Sequence, residues 1–130
     1  MLIKILIIED DATMVSLLRM LLGLEGYHVV TLSSEDQDII TLAQNESPNL
    51  ILLDVHLGQQ NGLDVVKKIK EINNLKNIKV IMTSGLDLGE SCLKAGADDF
   101  VLKPYMPDEL LNKIEGFFPD NKYEEIANQH

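Results

Sequence analysis

Four short apolar runs in this 130-residue chain lead into residues that can do chemistry. Residues 2–8 run into Glu9, Asp10 and Asp11, residues 50–53 into Asp54, residues 78–82 into Thr83, and residues 100–102 into Lys103. Acids crowded at one point repel, and some take up protons unless a cation is present. Oxygen ligands without clustered His or Cys favour Mg²⁺ over zinc or copper. Mg²⁺ keeps several waters and commonly takes one or two carboxylates together with a phosphate oxygen. With a hydroxyl and an ammonium added, the set suits phosphoryl transfer, in which metal and ammonium offset the charge of the transferring group. A carboxylate can itself be the nucleophile and form an acyl phosphate; Asp54, central in the set, is the candidate. Each residue alone has a plainer role. One of Glu9, Asp10 and Asp11 could cap a helix, Asp54 could be a loop acid, Thr83-Ser84-Gly85 is ordinary turn chemistry, and Lys103-Pro104 means little by itself. Their joint placement at strand ends carries the reading.

That placement depends on the elements between. A fifth, weaker apolar run covers residues 28–32, and helical periodicities separate the runs. The first and third runs are apolar on successive residues, as in strands buried on both faces of a parallel sheet. Met14, Leu17, Leu21 and Leu24 share one face of a first helix, with Gly23 and Gly26 near its stop. Ser34-Glu35-Asp36-Gln37 reads as a capping box opening a second helix through Ile39, Ile40 and Ala43. Gly62 opens a third, with Val65, Ile69 and Ile72 inward and Lys67, Lys68 and Lys70 outward. A short fourth spans about 88–95, with Gly96 as its C-cap. Pro107-Asp108-Glu109 starts a fifth whose buried stripe is Leu110, Leu111, Ile114 and Phe117. The order βαβαβαβαβα predicts a three-layer α/β domain with right-handed crossovers. Ligands of such folds sit beyond the carboxyl ends of the strands, where the four chemical clusters fall.

Composition agrees with one folded domain: 45% of residues are hydrophobic and 25% charged. The 11 Lys and Arg against 21 Asp and Glu give a net charge of −10, which argues against an electrostatic grip on nucleic acid or on an anionic membrane. Cys92 is the only cysteine, so intramolecular disulfides and Cys-rich zinc sites are excluded and a cytoplasmic setting fits. No apolar run has the length of a membrane span. Residues 1–118 are expected to form the domain and the polar residues 119–130 a tail.

The matching motifs are Ile5-Leu6-Ile7-Ile8-Glu9-Asp10-Asp11, Pro48-Asn49-Leu50-Ile51-Leu52-Leu53-Asp54, Asn61-Gly62-Leu63, Ile81-Met82-Thr83-Ser84-Gly85, Ala95-Gly96-Ala97-Asp98-Asp99-Phe100 and Lys103-Pro104. As a set, they make the chain up to about Phe118 resemble the receiver domain of bacterial two-component response regulators. The resemblance implies a flavodoxin-like three-layer sandwich, with a five-stranded parallel sheet of order 2-1-3-4-5 flanked by five helices. It implies that Asp54 is the phosphoacceptor, that Asp10 touches Mg²⁺ directly and Glu9 through water, and that His56 lends the metal its backbone carbonyl. Thr83 and Lys103 would contact the phosphoryl group, the Lys103–Pro104 peptide would be cis, and Thr83 with Phe100 would form the switch.

The same resemblance implies a histidine kinase, a histidine phosphotransfer protein or a small phosphodonor as the source of phosphate. It also implies a homodimer or effector contact through the fourth helix, fifth strand and fifth helix. The chain would catalyse only its own phosphotransfer and slow autodephosphorylation, as a stand-alone receiver or as the N-terminal part of a longer regulator. Three features depart from the family pattern. Gly58 stands where Pro is common, the segment from Thr83 to Phe100 is slightly short, and Phe100 lacks the hydroxyl of the common Tyr. Two other functions compete: a Mg²⁺-dependent phosphatase with an aspartyl nucleophile, weakened because Val55, His56 and Leu57 supply no second acid, and a pseudo-receiver that only binds partners.

Overall fold

Apolar residues on successive positions of each run point alternately to opposite faces, and each face acquires its own core. The computed structural model describes residues 2–32 and 38–121. In chain order its elements are β1 (Lys4–Ile8), α1 (Ala12–Leu24), β2 (His28–Thr31), α2 (Ile39–Glu46), β3 (Leu50–Asp54), β4 (His56–Leu57), β5 (Gln60–Asn61), α3 (Gly62–Glu71), β6 (Lys79–Ser84), α4 (Gly89–Ala95), β7 (Asp99–Leu102) and α5 (Pro107–Phe117). The main sheet has the order β2-β1-β3-β6-β7 with all neighbours parallel, which is the expected 2-1-3-4-5. Leu6, Ile8, Ile51, Leu53, Val80 and Met82 face α2, α3 and α4. Ile5, Ile7, Leu50, Leu52, Ile81 and Val101 face α1 and α5. Among the described residues no helix is long and apolar enough to cross a membrane.

Asp54 is the last residue of β3, as expected, and β6 includes Thr83 and runs one residue further, to Ser84. Other elements differ from expectation. The antiparallel pair β4–β5 was not foreseen; two-residue strands carry no periodicity to read. Helix α2 begins at Ile39 under an Asp38 cap, whose carboxylate accepts the Ile40 N–H at 3.2 Å; the expected capping box at 34–37 lies outside the described residues. In α1 the buried positions are Leu18 and Leu22, while Leu17 and Leu24 are 44% and 79% exposed. Residues 12–24 contain a single charge, Arg19, so apolar residues occur all round the helix and their spacing does not mark the inner face. Met14, Leu17 and Leu21 instead line an apolar cleft against Tyr105, Pro107 and Leu111. Lys70 does not point outward. Its ammonium reaches Asp98 at 2.9 Å and the Ile78 carbonyl at 2.8 Å, tying α3 to the turn before β7. Gly96 at φ +117 caps α4 as expected.

Candidate functional site

The carboxyl ends of β1, β3, β6 and β7 meet at one edge, as parallel strands in register must. Asp54 stands opposite Thr83, and Thr83 stands opposite Val101, two residues before Lys103. The three acids after β1 separate by role. Asp11 is the α1 cap, its carboxylate accepting the Thr13 and Met14 N–H groups at 3.0 and 3.2 Å, which leaves Glu9 and Asp10 for chemistry. Asp10 is exposed. The Glu9 side chain is only 6% exposed, and its Oε1 lies 2.8 Å from the Lys103 ammonium. The Lys103 backbone N–H donates to the Ser84 carbonyl at 2.8 Å, and the Lys103–Pro104 peptide is cis.

Asp54 is buried to 6% exposure. Its Oδ2 lies 3.0 Å from the Lys103 ammonium, and its Oδ1 accepts the His56 N–H at 3.1 Å. The chain then turns out through β4 and β5, with Gly58 at φ +58 between them, a conformation that suits glycine. It returns at Gly62, whose N–H donates to the Val55 carbonyl at 2.7 Å. A Cβ at Gly62 would collide with the Asp54 carbonyl oxygen and sit 2.9 Å from the Val55 Cα. Gly62→Ala should therefore displace the backbone that carries Asp54 and cost about 1–3 kcal/mol, the range for overpacking; urea denaturation checks this, and an unchanged midpoint would refute it.

Electrostatics follow from this crowding. Burial above all, together with the adjacent Asp54 carboxylate, pushes the Glu9 carboxyl up to about 7 despite Lys103. Burial works against the charged form of Asp54 too, but Glu9, Lys103 and the His56 N–H outweigh it and hold Asp54 below the ordinary aspartate value. Burial likewise opposes the Lys103 ammonium, and its two carboxylate partners overcome this and raise its pKa.

Glu9, Asp10 and Asp54 each offer a carboxylate oxygen, all within 4.8 Å of one another. The Glu9 Oε2 atom is buried without a hydrogen-bond partner. An orphaned buried oxygen beside two further hard oxygen donors fits a cation such as Mg²⁺. His56 is exposed, and its backbone N–H rather than its imidazole engages Asp54. Phe100 lies on β7 opposite Met82, half-buried against the α2, α3 and α4 core. The structure thus brings Glu9, Asp10, Asp54, Thr83 and Lys103 to one edge. The Glu9–Lys103 pair and the close approach of Gly62 escaped the sequence reading; the spacing of Asn61-Gly62 after Asp54 was the one available signal for the latter.

Residues 5–115 match the family of the response regulator receiver domain. The transcriptional regulatory protein CpxR of Escherichia coli K12 is 32% identical over 123 residues, covering 94% of this chain and 52% of CpxR. The alkaline phosphatase synthesis transcriptional regulatory protein PhoP of Bacillus subtilis is 31% identical over 113 residues, covering 86% of this chain and 47% of PhoP. The chain therefore spans about half the length of these regulators. The solved BeF3-activated DrrB receiver domain superposes with a TM-score of 0.78 at 27% identity, covering 92% of this chain and 99% of that one. Fold, matched span and relatives agree, and the chain belongs to the response regulator receiver domain family.

Proposed function

We propose that this chain accepts a phosphoryl group on Asp54, in a Mg²⁺-dependent step, from a histidine kinase, a histidine phosphotransfer protein or a small phosphodonor. The observation that carries this is a buried carboxylate held between an ammonium and a backbone N–H, beside a second buried carboxylate with an orphaned oxygen. An Asp54 oxygen attacks phosphorus, the bond from phosphorus to the donor nitrogen or oxygen breaks, and the donor leaves with the electron pair. The depressed pKa of Asp54 keeps it ionised, as a nucleophile must be. Lys103 is positioned to exchange its contact with Asp54 for one with a phosphoryl oxygen, and the Thr83 hydroxyl to donate to another. Mg²⁺ held by Glu9, Asp10, Asp54 and the His56 carbonyl would supply positive charge to the phosphoryl oxygens and offset the acids.

In this reading the chain is a cytoplasmic signalling unit over residues 1–118, and beyond its own phosphotransfer it catalyses only slow loss of the phosphate. Thr83 and Phe100 relay the state of Asp54 to the face of α4, β7 and α5, where an effector domain or a second copy docks. Leu93, Leu102 and Met106 on that side are 53%, 45% and 72% exposed, apolar surface that a partner would cover.

The capping geometry supplies a test of the metal assignment. Asp10→Ala should shift the Mg²⁺ titration of phosphotransfer to higher concentration and leave folding stability nearly unchanged. Asp11→Ala should do the opposite, costing about 1 kcal/mol through loss of the α1 cap while the Mg²⁺ titration stays as in the wild type. Labelling by phosphoramidate across a Mg²⁺ series, with parallel urea melts, separates the two. The reverse ranking would move the acidic pair by one register.

A further inference from the structure

Gly89 is the first residue of α4, and its φ lies outside the left-handed region. Nothing in its backbone requires glycine, and glycine is a poorer helix residue than alanine. Its surroundings supply the reason. A Cβ at Gly89 would lie 3.1 Å from Phe100 Cδ1, 3.6 Å from Cγ and 3.8 Å from Cβ. Gly23, Gly85 and Gly116 have nothing within 4 Å of such an atom, whereas Gly62 abuts the Asp54–Val55 backbone and Gly96 the Lys70 side chain; at Gly89 the close neighbour is an aromatic ring. Helix α4 has only seven residues, and its Leu88 cap makes no side-chain hydrogen bond. Its first turn is held by the Cys92 N–H to Leu88 carbonyl bond and by the exposed Glu90–Lys94 pair, and beyond these by what packs against it.

We infer that Gly89 is the seat of the Phe100 ring: the missing side chain lets the aromatic lie against the backbone of α4, so that ring and helix move together. The inference rests on the proposed reading of Phe100 as the residue that responds to phosphorylation at Asp54, and it adds the contact through which the response reaches α4. A methyl group at position 89 forces the ring back by a few tenths of an ångström; a branched side chain denies it this position. The three heavy atoms nearest a Cβ at Gly89 all belong to Phe100 and none to Glu9, Asp10, Asp54, Thr83 or Lys103, so phosphotransfer itself should not depend on it.

The experiment uses 4-fluorophenylalanine-labelled protein, with the Phe100 resonance assigned by Phe100→Leu, and adds beryllofluoride with Mg²⁺ to mimic the phosphoryl group. In the wild type the Phe100 fluorine signal and the α4 amide signals should both move. In Gly89→Val, phosphoramidate labelling should stay within twofold of wild type, while the fluorine signal starts at a solvent-exposed position and the α4 response falls at least fivefold. Gly89→Ala should lower Tm in the wild-type background and raise it in the Phe100→Ala background, where the alanine meets no ring and gains helix propensity. This pair decides the contact even if Gly89→Val does not fold. A wild type whose Phe100 signal ignores beryllofluoride would overturn the reading of Phe100 as responder, and with it the relay, whereas the sign reversal in Tm would still establish the packing. A Gly89→Val protein with the wild-type ring signal and response, or a Tm shift of the same sign in both backgrounds, would overturn the role of Gly89.

Discussion

Lys103→Met should abolish phosphotransfer and, in metal-free protein, make stability fall steeply with rising pH. The Lys103 ammonium lies 2.8 Å from Glu9 and 3.0 Å from Asp54, whose side chains are 6% and 8% exposed. Methionine keeps much of the volume and removes the charge. Two buried carboxylates then face each other without their cation, and one of them must hold a proton. In the wild type Glu9 already has its pKa raised to about 7 from 4.5. A carboxyl raised on folding stabilises the native state below its unfolded pKa, and that contribution is lost as pH climbs through the folded value. The wild-type loss therefore falls between about pH 4.5 and 7, and in the variant it should extend further upward and be larger. Breaking a buried pair by removing one partner costs about 3–5 kcal/mol. Because the Lys103 side chain is 23% exposed, the expected loss at neutral pH is on the order of 2 kcal/mol, below that range. Added Mg²⁺ should restore part of it in both proteins. Urea melts at several pH values, with Mg²⁺ or with EDTA, measure all three effects; a variant as stable as wild type at neutral pH in EDTA would show that Lys103 does not hold the two acids together.

The site is legible in the sequence because strand ends in a parallel sheet share an edge, so four clusters far apart in the chain must fall together. From the residues alone, which acid does what was not legible; only the family resemblance assigned Glu9 and Asp10 to the metal. Glu9, Asp10 and Asp11 are adjacent, and only the start of α1 shows that Asp11 caps the helix. The inner face of α1 was missed because apolar residues surround that helix and one charge cannot set its phase. The inward turn of Lys70 was missed because its partner Asp98 lies 28 residues away, a separation with no periodicity to betray it. Gly62 and Gly89 illustrate a different limit. Each matters through a side chain it lacks, and that absence has meaning only once the Asp54 backbone and the Phe100 ring are in place beside it.

Asp54→Asn should lose phosphoryl acceptance completely while remaining folded. Asparagine is nearly isosteric, and its carbonyl oxygen can still accept the His56 N–H that now reaches Oδ1 at 3.1 Å. It also removes one of two crowded negative charges, which relieves the upward pressure of Asp54 on the Glu9 pKa. A folding defect is thus not the expected cause of lost labelling; the missing nucleophilic carboxylate is. The deciding measurement is intact-mass analysis of wild type and Asp54→Asn after phosphoramidate treatment with Mg²⁺. One phosphoryl group is expected on the wild type, located at Asp54 and absent when EDTA replaces Mg²⁺, and none on the variant. Undiminished labelling of Asp54→Asn, or a wild type labelled at Glu9 or Asp10 instead, would contradict this assignment.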